Sequence, residues 1–114
     1  MGILTREEIL QKDDLKRELV SVPEWGGEVL IISMTGAMRD AWEHSLVADK
    51  ASMDNVRAKL LVATAIEPEG NPLFTKEDVA ALGRKSSAAL DRCIRVAQRL
   101  NRLTQTDLED LSKN

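Results

Sequence analysis

At 114 residues, with 43% hydrophobic and 31% charged side chains, the chain has the balance of one folded domain rather than of a disordered segment. Net charge is −3, and aromatic residues make up only 3% with no Tyr, which argues against the base-stacking platforms that hold single-stranded nucleic acid. The single cysteine, Cys93, excludes an internal disulfide and a cysteine-built zinc site.

The N-terminus lacks the basic-then-apolar order of a signal peptide. No run approaches the ~18 apolar residues a membrane span needs. The expectation is a soluble cytoplasmic domain covering residues 1–114. Its first element is short. Thr5-Arg6-Glu7-Glu8 is a capping box that opens a helix ending before Asp13-Asp14.

Two runs rich in Val, Leu and Ile follow, residues 15–22 and 28–34, separated by Val22-Pro23-Glu24-Trp25-Gly26-Gly27. Pro cannot donate to a strand ladder and paired Gly admits positive φ, so the chain should reverse there as a hairpin. Val29-Leu30-Ile31-Ile32 is apolar on both strand faces, which calls for cover on both sides. A lone hairpin is marginal in water, so helices must pack on it, and the helix of residues 54–67 is the expected partner.

Thr35 should cap a helix to about residue 48, with Met38, Ala41, Trp42 and Leu46 on one face. Asp54 should cap the next, whose Val56, Leu60, Leu61, Ala63 and Thr64 leave little polar surface and mark it as the central helix. Pro68-Glu69-Gly70-Asn71-Pro72 is a stop and turn. Thr75-Lys76-Glu77-Asp78 opens a short helix closed at Gly83, and Ser86 or Ser87 caps the last long helix, to about residue 103. Thr106 is the expected cap of a final turn within a polar, frayed tail of residues 104–114. The fold class is therefore mainly α with one β-hairpin (α+β), about five helices packed around the hairpin in one compact domain.

The last helix carries two apolar rows, Ala89, Cys93, Val96, Leu100 and Leu103 beside Leu90, Ile94 and Ala97. Together they cover roughly half the circumference, against the ~100° stripe of a surface helix. Such a helix is either packed between two neighbours of its own chain or offers part of the stripe to another subunit. Its other side carries Arg92, Arg95, Arg99 and Arg102, joined at its start by Arg84 and Lys85. That face reads as solvated or intramolecular, as a protein contact, or as a phosphate-tracking surface of a small nucleic-acid-binding regulator. The candidate partner-binding or oligomerisation residues are thus Arg92, Cys93, Arg95, Val96, Arg99, Leu100, Arg102 and Leu103.

Charge is unevenly spread. Residues 82–103 carry six basic side chains against Asp91 alone, whereas residues 1–81 carry fifteen acidic and nine basic ones. A neighbour's acidic surface could meet the arginine face head to tail, a heterologous contact that makes rings or spirals. Catalytic chemistry is not visible. His44, the only histidine, has no nucleophile or orienting group in its pattern and reads as a surface or boundary residue. Cys93 reads as core, the paired carboxylates sit where caps and helix dipoles explain them, and no phosphate-binding loop is present. No enzyme, cofactor or metal is expected.

Several pieces taken in order carry a family resemblance: Val22-Pro23-Glu24-Trp25-Gly26-Gly27; Met34-Thr35-Gly36 with Arg39-Asp40 and Trp42-Glu43; Gly70-Asn71-Pro72-Leu73-Phe74 with Asp78-Val79; Leu82-Gly83 and Ser86-Ser87-Ala88-Ala89-Leu90; and Ala97-Gln98-Arg99-Leu100-Asn101. From about residue 5 to residue 101 this ordering resembles the tail assembly chaperones of long-tailed bacteriophages, especially those of siphophages.

The resemblance implies a non-enzymatic protein of the infected cell's cytoplasm, absent from the mature virion. It implies an oligomer that coats and solubilises the tape measure protein and helps recruit tail tube subunits. It further implies a longer product from the same gene, made by ribosomal frameshift, that contacts the tube protein; this chain would be the shorter form. If the Ser112 codon ends in A, Lys113-Asn114 encoded as AAA-AAC or AAA-AAT gives a run on which both tRNAs could re-pair after slipping back one base.

Overall fold

A computed structural model describes residues 2–48, 53–104 and 106–107. The elements run α1 (Arg6–Gln11), β1 (Arg17–Val22), β2 (Gly27–Ile32), α2 (Gly36–Ala48), α3 (Met53–Thr64), β3 (Ala65–Ile66), α4 (Val79–Gly83) and α5 (Ser87–Leu100). Among the described residues, five helices accompany a small antiparallel sheet of strand order β1-β2-β3.

Local chemistry places most boundaries. Thr5 and Glu8 exchange side-chain-to-backbone hydrogen bonds, both 3.2 Å, to start α1. The hairpin turns through a 3₁₀ segment, Pro23–Trp25, closed by Gly26 at φ 75°, a left-handed conformation that favours glycine. Thr35 Oγ1 accepts from Met38 N–H at 3.0 Å at the start of α2, Thr75 and Asp78 form a capping box before α4, and Ser86 Oγ accepts from Ala89 N–H at the start of α5. The Asp54 side chain, assigned by sequence as a cap, lies outside the described side chains. Residues 113–114 likewise lie outside the described residues. The final turn is capped by Thr104 rather than Thr106: Asp107 N–H donates to Thr104 Oγ1 at 3.0 Å while Thr104 N–H donates to Asp107 Oδ2 at 2.8 Å. Thr106 lies inside that helical turn rather than ahead of it.

The hairpin register pairs Leu19 with Leu30, Val20 with Val29 and Arg17 with Ile32. Alternation then sets Glu18, Val20, Val22, Val29 and Ile31 on one face, and Arg17, Leu19, Leu30 and Ile32 on the other. Helix α5 lies across the first face, with α3 on the far side of α5 and α2 and α4 against α3. This explains the double apolar row of α5, since Ala89, Leu90, Cys93, Ile94 and Ala97 are all buried between the sheet and α3. The expected hairpin partner, the helix of residues 54–67, is instead one layer away, because α5 takes the place beside the sheet.

That helix also stops early. It ends at Thr64, and Ala65 and Ile66 pair with Ile31 and Leu30 as a third strand. The free edge of β2 offers backbone partners that a further helical turn could not satisfy, and tertiary pairing overrides local helix preference. Arg102 at φ 54° closes α5: Leu103 N–H donates to Gln98 O at 2.8 Å and Arg102 N–H to Arg99 O at 3.3 Å, a Schellman arrangement. Asn101 ties this end to the sheet, accepting from Met34 N–H at 2.7 Å and donating to Ala97 O at 2.9 Å. No helix among the described residues is long and apolar enough to cross a membrane.

Candidate protein-interaction surfaces

Among the described residues no helix is laid across the second face of the sheet, although Ile32 and Ile66 are buried there. Ile32 and Ile66 form part of the floor of an open groove whose walls are α2 (Met38, Trp42, Ser45), α3 (Val62, Ala63) and the segment leading into α4 (Pro72, Phe74, Val79). Its volume is about 1010 Å³. The chain builds the far wall by folding residues 67–73 back on β3. Glu67 N–H donates to Asn71 O and Gly70 N–H to Glu67 O, both 2.8 Å, and Leu73 N–H donates to Ala65 O at 3.0 Å. Gly70 at φ 102° makes that turn.

Trp42 is the largest side chain in the groove wall. Only 3% of it is exposed, the Arg39 guanidinium lies 5.9 Å from its ring centroid, and Nε1 finds no acceptor among the described residues. Arg39 is itself anchored to Glu43 at 2.7 Å. The charged residues lining the groove among the described residues are Arg17, Lys59, Lys76 and Glu77; Arg17 pairs with Asp13, and Lys59 is buried. Lys59 Nζ donates to Ser45 O at 3.2 Å.

A second apolar surface stands at the N-terminus. Helix α1 buries none of its residues. Ile3 is 100% exposed, Leu4 62%, Ile9 56% and Leu10 66%. Leu4 and Ile9 flank the Thr5 cap in the positions of a hydrophobic staple, which fixes how the chain enters the helix. Asp13 shapes the link to β1, with Oδ1 accepting from Leu15 N–H at 3.4 Å and Oδ2 paired with Arg17 at 3.5 Å.

The residues singled out by sequence separate into two groups. Cys93 and Leu103 are buried in the core, and Val96 and Leu100 are half-buried against it. Arg92, Arg95, Arg99 and Arg102 lie exposed on the outer side of α5. Two of these arginines hold the helix to the sheet: Arg92 Nε bonds Glu24 at 2.9 and 3.1 Å, and Arg99 Nη2 bonds Glu18 at 2.6 Å. A hydrogen bond from its own backbone N–H, then that of Arg92, keeps the Glu24 carboxyl below its ordinary range; Glu18 raises Arg99. Arg95 and Arg102 form no ion pair among the described residues. Asp91, the only acid of the basic segment, pairs with Arg57 of α3 at 3.2 Å. His44 is exposed on α2. Burial pushes the Cys93 thiol up to about 11, opposite to the direction that activates a nucleophile.

Groove and arm were not singled out by the sequence reading. The signals were present: the two-sided apolarity of residues 29–32 called for a second cover, and Ile3, Leu4, Ile9 and Leu10 crowd a helix too short to form a core of its own.

The arrangement of helices around this sheet matches a solved structure, that of the bacteriophage HK97 tail assembly chaperone. The match has a TM-score of 0.60 at 16% identity, and covers 87% of this chain and 95% of that one. The fold is that of a phage tail assembly chaperone. No protein-family model matches the sequence, and no curated protein matches it. At this identity the likeness is one of backbone architecture, and it spans most of the chain, as the ordered motifs of residues 5–101 imply.

Proposed function

We propose that this chain is a non-enzymatic tail assembly chaperone, acting as an oligomer in the host cytoplasm. It coats and solubilises a tape measure protein and helps recruit tail tube subunits, and it is absent from the finished virion. The observation that carries the reading is the tail-assembly-chaperone fold over nearly the whole chain, on a molecule with two uncovered apolar surfaces. A chaperone that lines a long apolar client needs one surface for its neighbours and one for the client. Most of the wide stripe of α5 is buried in the core, so groove and arm are the larger candidates. The recruitment step would fall to a longer frameshift product of the same gene.

The rival, a nucleic-acid-binding regulator using Arg92, Arg95, Arg99 and Arg102, loses support because Glu24 and Glu18 already engage two of the four arginines. An arginine paired at close range to a carboxylate has less to offer a phosphate. Co-expression with the tape measure protein of the same genome tests the proposal. The client should move from the insoluble to the soluble fraction and co-purify with this chain. A client equally insoluble with and without it would refute the proposal, and DNA binding that weakens steeply with salt would favour the rival.

A further inference from the structure

We infer that the outer edge of β1 takes up an extended segment of another protein as a fourth strand, one that alternates apolar with acidic residues. This goes beyond the chaperone reading and stands on the sheet alone.

The sheet has two edges, and the chain treats them differently. Beyond β3 the edge is closed by the chain's own backbone. Residues 67–73 fold back there, with Ile66 bridged to Pro72 and Leu73 N–H donating to Ala65 O at 3.0 Å. β1 has no such cover. It pairs with β2 in one unbroken register, without the bulge or the proline that blunts many natural edges. The register also tells which backbone groups are left over. Ser33 N–H donates to Lys16 O at 2.8 Å, so Lys16 and Ser33 form a hydrogen-bonded pair. Alternation then makes Glu18, Val20 and Val22 the residues of β1 that bond to β2. The N–H and C=O groups of Arg17, Leu19 and Ser21 point the other way, and no hydrogen bond among the described residues takes them up. All three residues are exposed.

Side chains set what the new strand should carry. Ile66, Leu30 and Leu19 stand opposite one another across the sheet. Exposure climbs from 5% at Ile66 to 59% at Leu19, so this apolar row breaks off at the open edge. An apolar residue opposite Leu19 continues it. The next residues of an added strand fall on the other face, the one that α5 covers. There Arg99 already neutralises Glu18 and Arg92 neutralises Glu24. Arg95, exposed between those two arginines on the helix, has no ion-pair partner among the described residues. Acidic side chains suit that face. A second copy of β1 does not, because two-fold strand pairing keeps both α5 helices on one face and brings their arginine rows together.

Two soluble peptides test this on the full-length protein, one alternating valine with aspartate and one alternating valine with lysine. By nuclear magnetic resonance, the aspartate peptide should slow amide exchange at Arg17, Leu19 and Ser21 by about tenfold or more. Glu18, Val20 and Val22 should already be slow without it. The lysine peptide should bind about tenfold more weakly. N-methylating the peptide bonds that face β1 should abolish binding, because it removes donors and leaves the side chains in place. Leu19→Pro should do the same from the protein's side; the Leu19 N–H faces outward, so the ladder to β2 keeps its bonds. Arg95→Glu should narrow the gap between the two peptides without changing the melting temperature. Binding that survives N-methylation would overturn strand addition. No binding of either peptide at millimolar concentration would do so too, as would new protection at Glu18 and Val20 in place of Leu19. Equal binding of both peptides would overturn the acidic partner. Concentration-dependent protection of Leu19 in the protein alone would also overturn it, since a second copy then holds the edge.

Discussion

Asn101 fastens the end of the sheet to the end of α5, across 67 residues of sequence. Replacing it with Ala removes the acceptor of the Met34 N–H, a half-buried donor, and the donor to Ala97 O. An unsatisfied buried donor costs about 1–3 kcal/mol and an ordinary lost hydrogen bond about 0.5–1.5 kcal/mol. Both groups are only partly buried and water can reach them, so a loss of about 2 kcal/mol is expected rather than the sum of the upper limits. That corresponds to a fall in melting temperature of about 8 °C for a domain of this size. Urea unfolding at neutral pH should show a lower midpoint with an unchanged slope. Hydrogen exchange should show the Met34 amide losing protection ahead of the amides of β2. Asn101→Asp separates the two bonds: it keeps the acceptor for Met34 but sets a carboxylate against Ala97 O at the negative end of α5. Its loss should shrink as pH drops below the ordinary carboxyl range, where the protonated acid can donate again. A loss under about 0.5 kcal/mol for Asn101→Ala, with Met34 still protected, would refute the clamp.

Two further outcomes follow from the core and the turns. Cys93, its thiol raised to about 11 by burial, should resist thiol reagents at pH 8 until the protein unfolds. Because the thiol binds its proton more tightly in the folded chain, its stability contribution is whole below the ordinary value of 9.0 and is lost as pH rises toward about 11; Cys93→Ala should flatten that decline in a pH series of urea midpoints. Gly26→Ala, at φ 75° with nothing within 4 Å of the new Cβ, should cost about 1–2 kcal/mol through the backbone alone, and Gly26→Asn distinctly less, by thermal unfolding.

Much of the frame is legible in the sequence because the signals are local. Thr5 with Glu8, Thr35, Thr75 with Asp78, and Ser86 each start a helix by bonding backbone groups within four residues. Pro23 with Gly26 and Gly27 reverses the hairpin for reasons of φ and a missing donor. The double row on α5 states that the helix is covered on two sides, and the low aromatic content and single cysteine rule out whole classes of chemistry. Order and spacing of the motifs carry the family resemblance that the backbone bears out.

Tertiary structure decided what those local signals leave open. Which helix lies on the hairpin depends on how three layers compete for one apolar face, and α5 rather than α3 occupies it. Residues 65–66 leave the helix because the edge of β2, far away in sequence, offers them hydrogen bonds. Which arginines of α5 clamp the helix to the sheet depends on where Glu18 and Glu24 fall in the hairpin. On the second face of the sheet Ile32 and Ile66 are buried while Leu19 stays exposed, and a short apolar helix stands exposed near the N-terminus. Periodicity fixes that a face must be buried, since the cost of leaving it in water is set by its own residues; what buries it is a property of the packed whole, because any apolar surface of matching shape can do so.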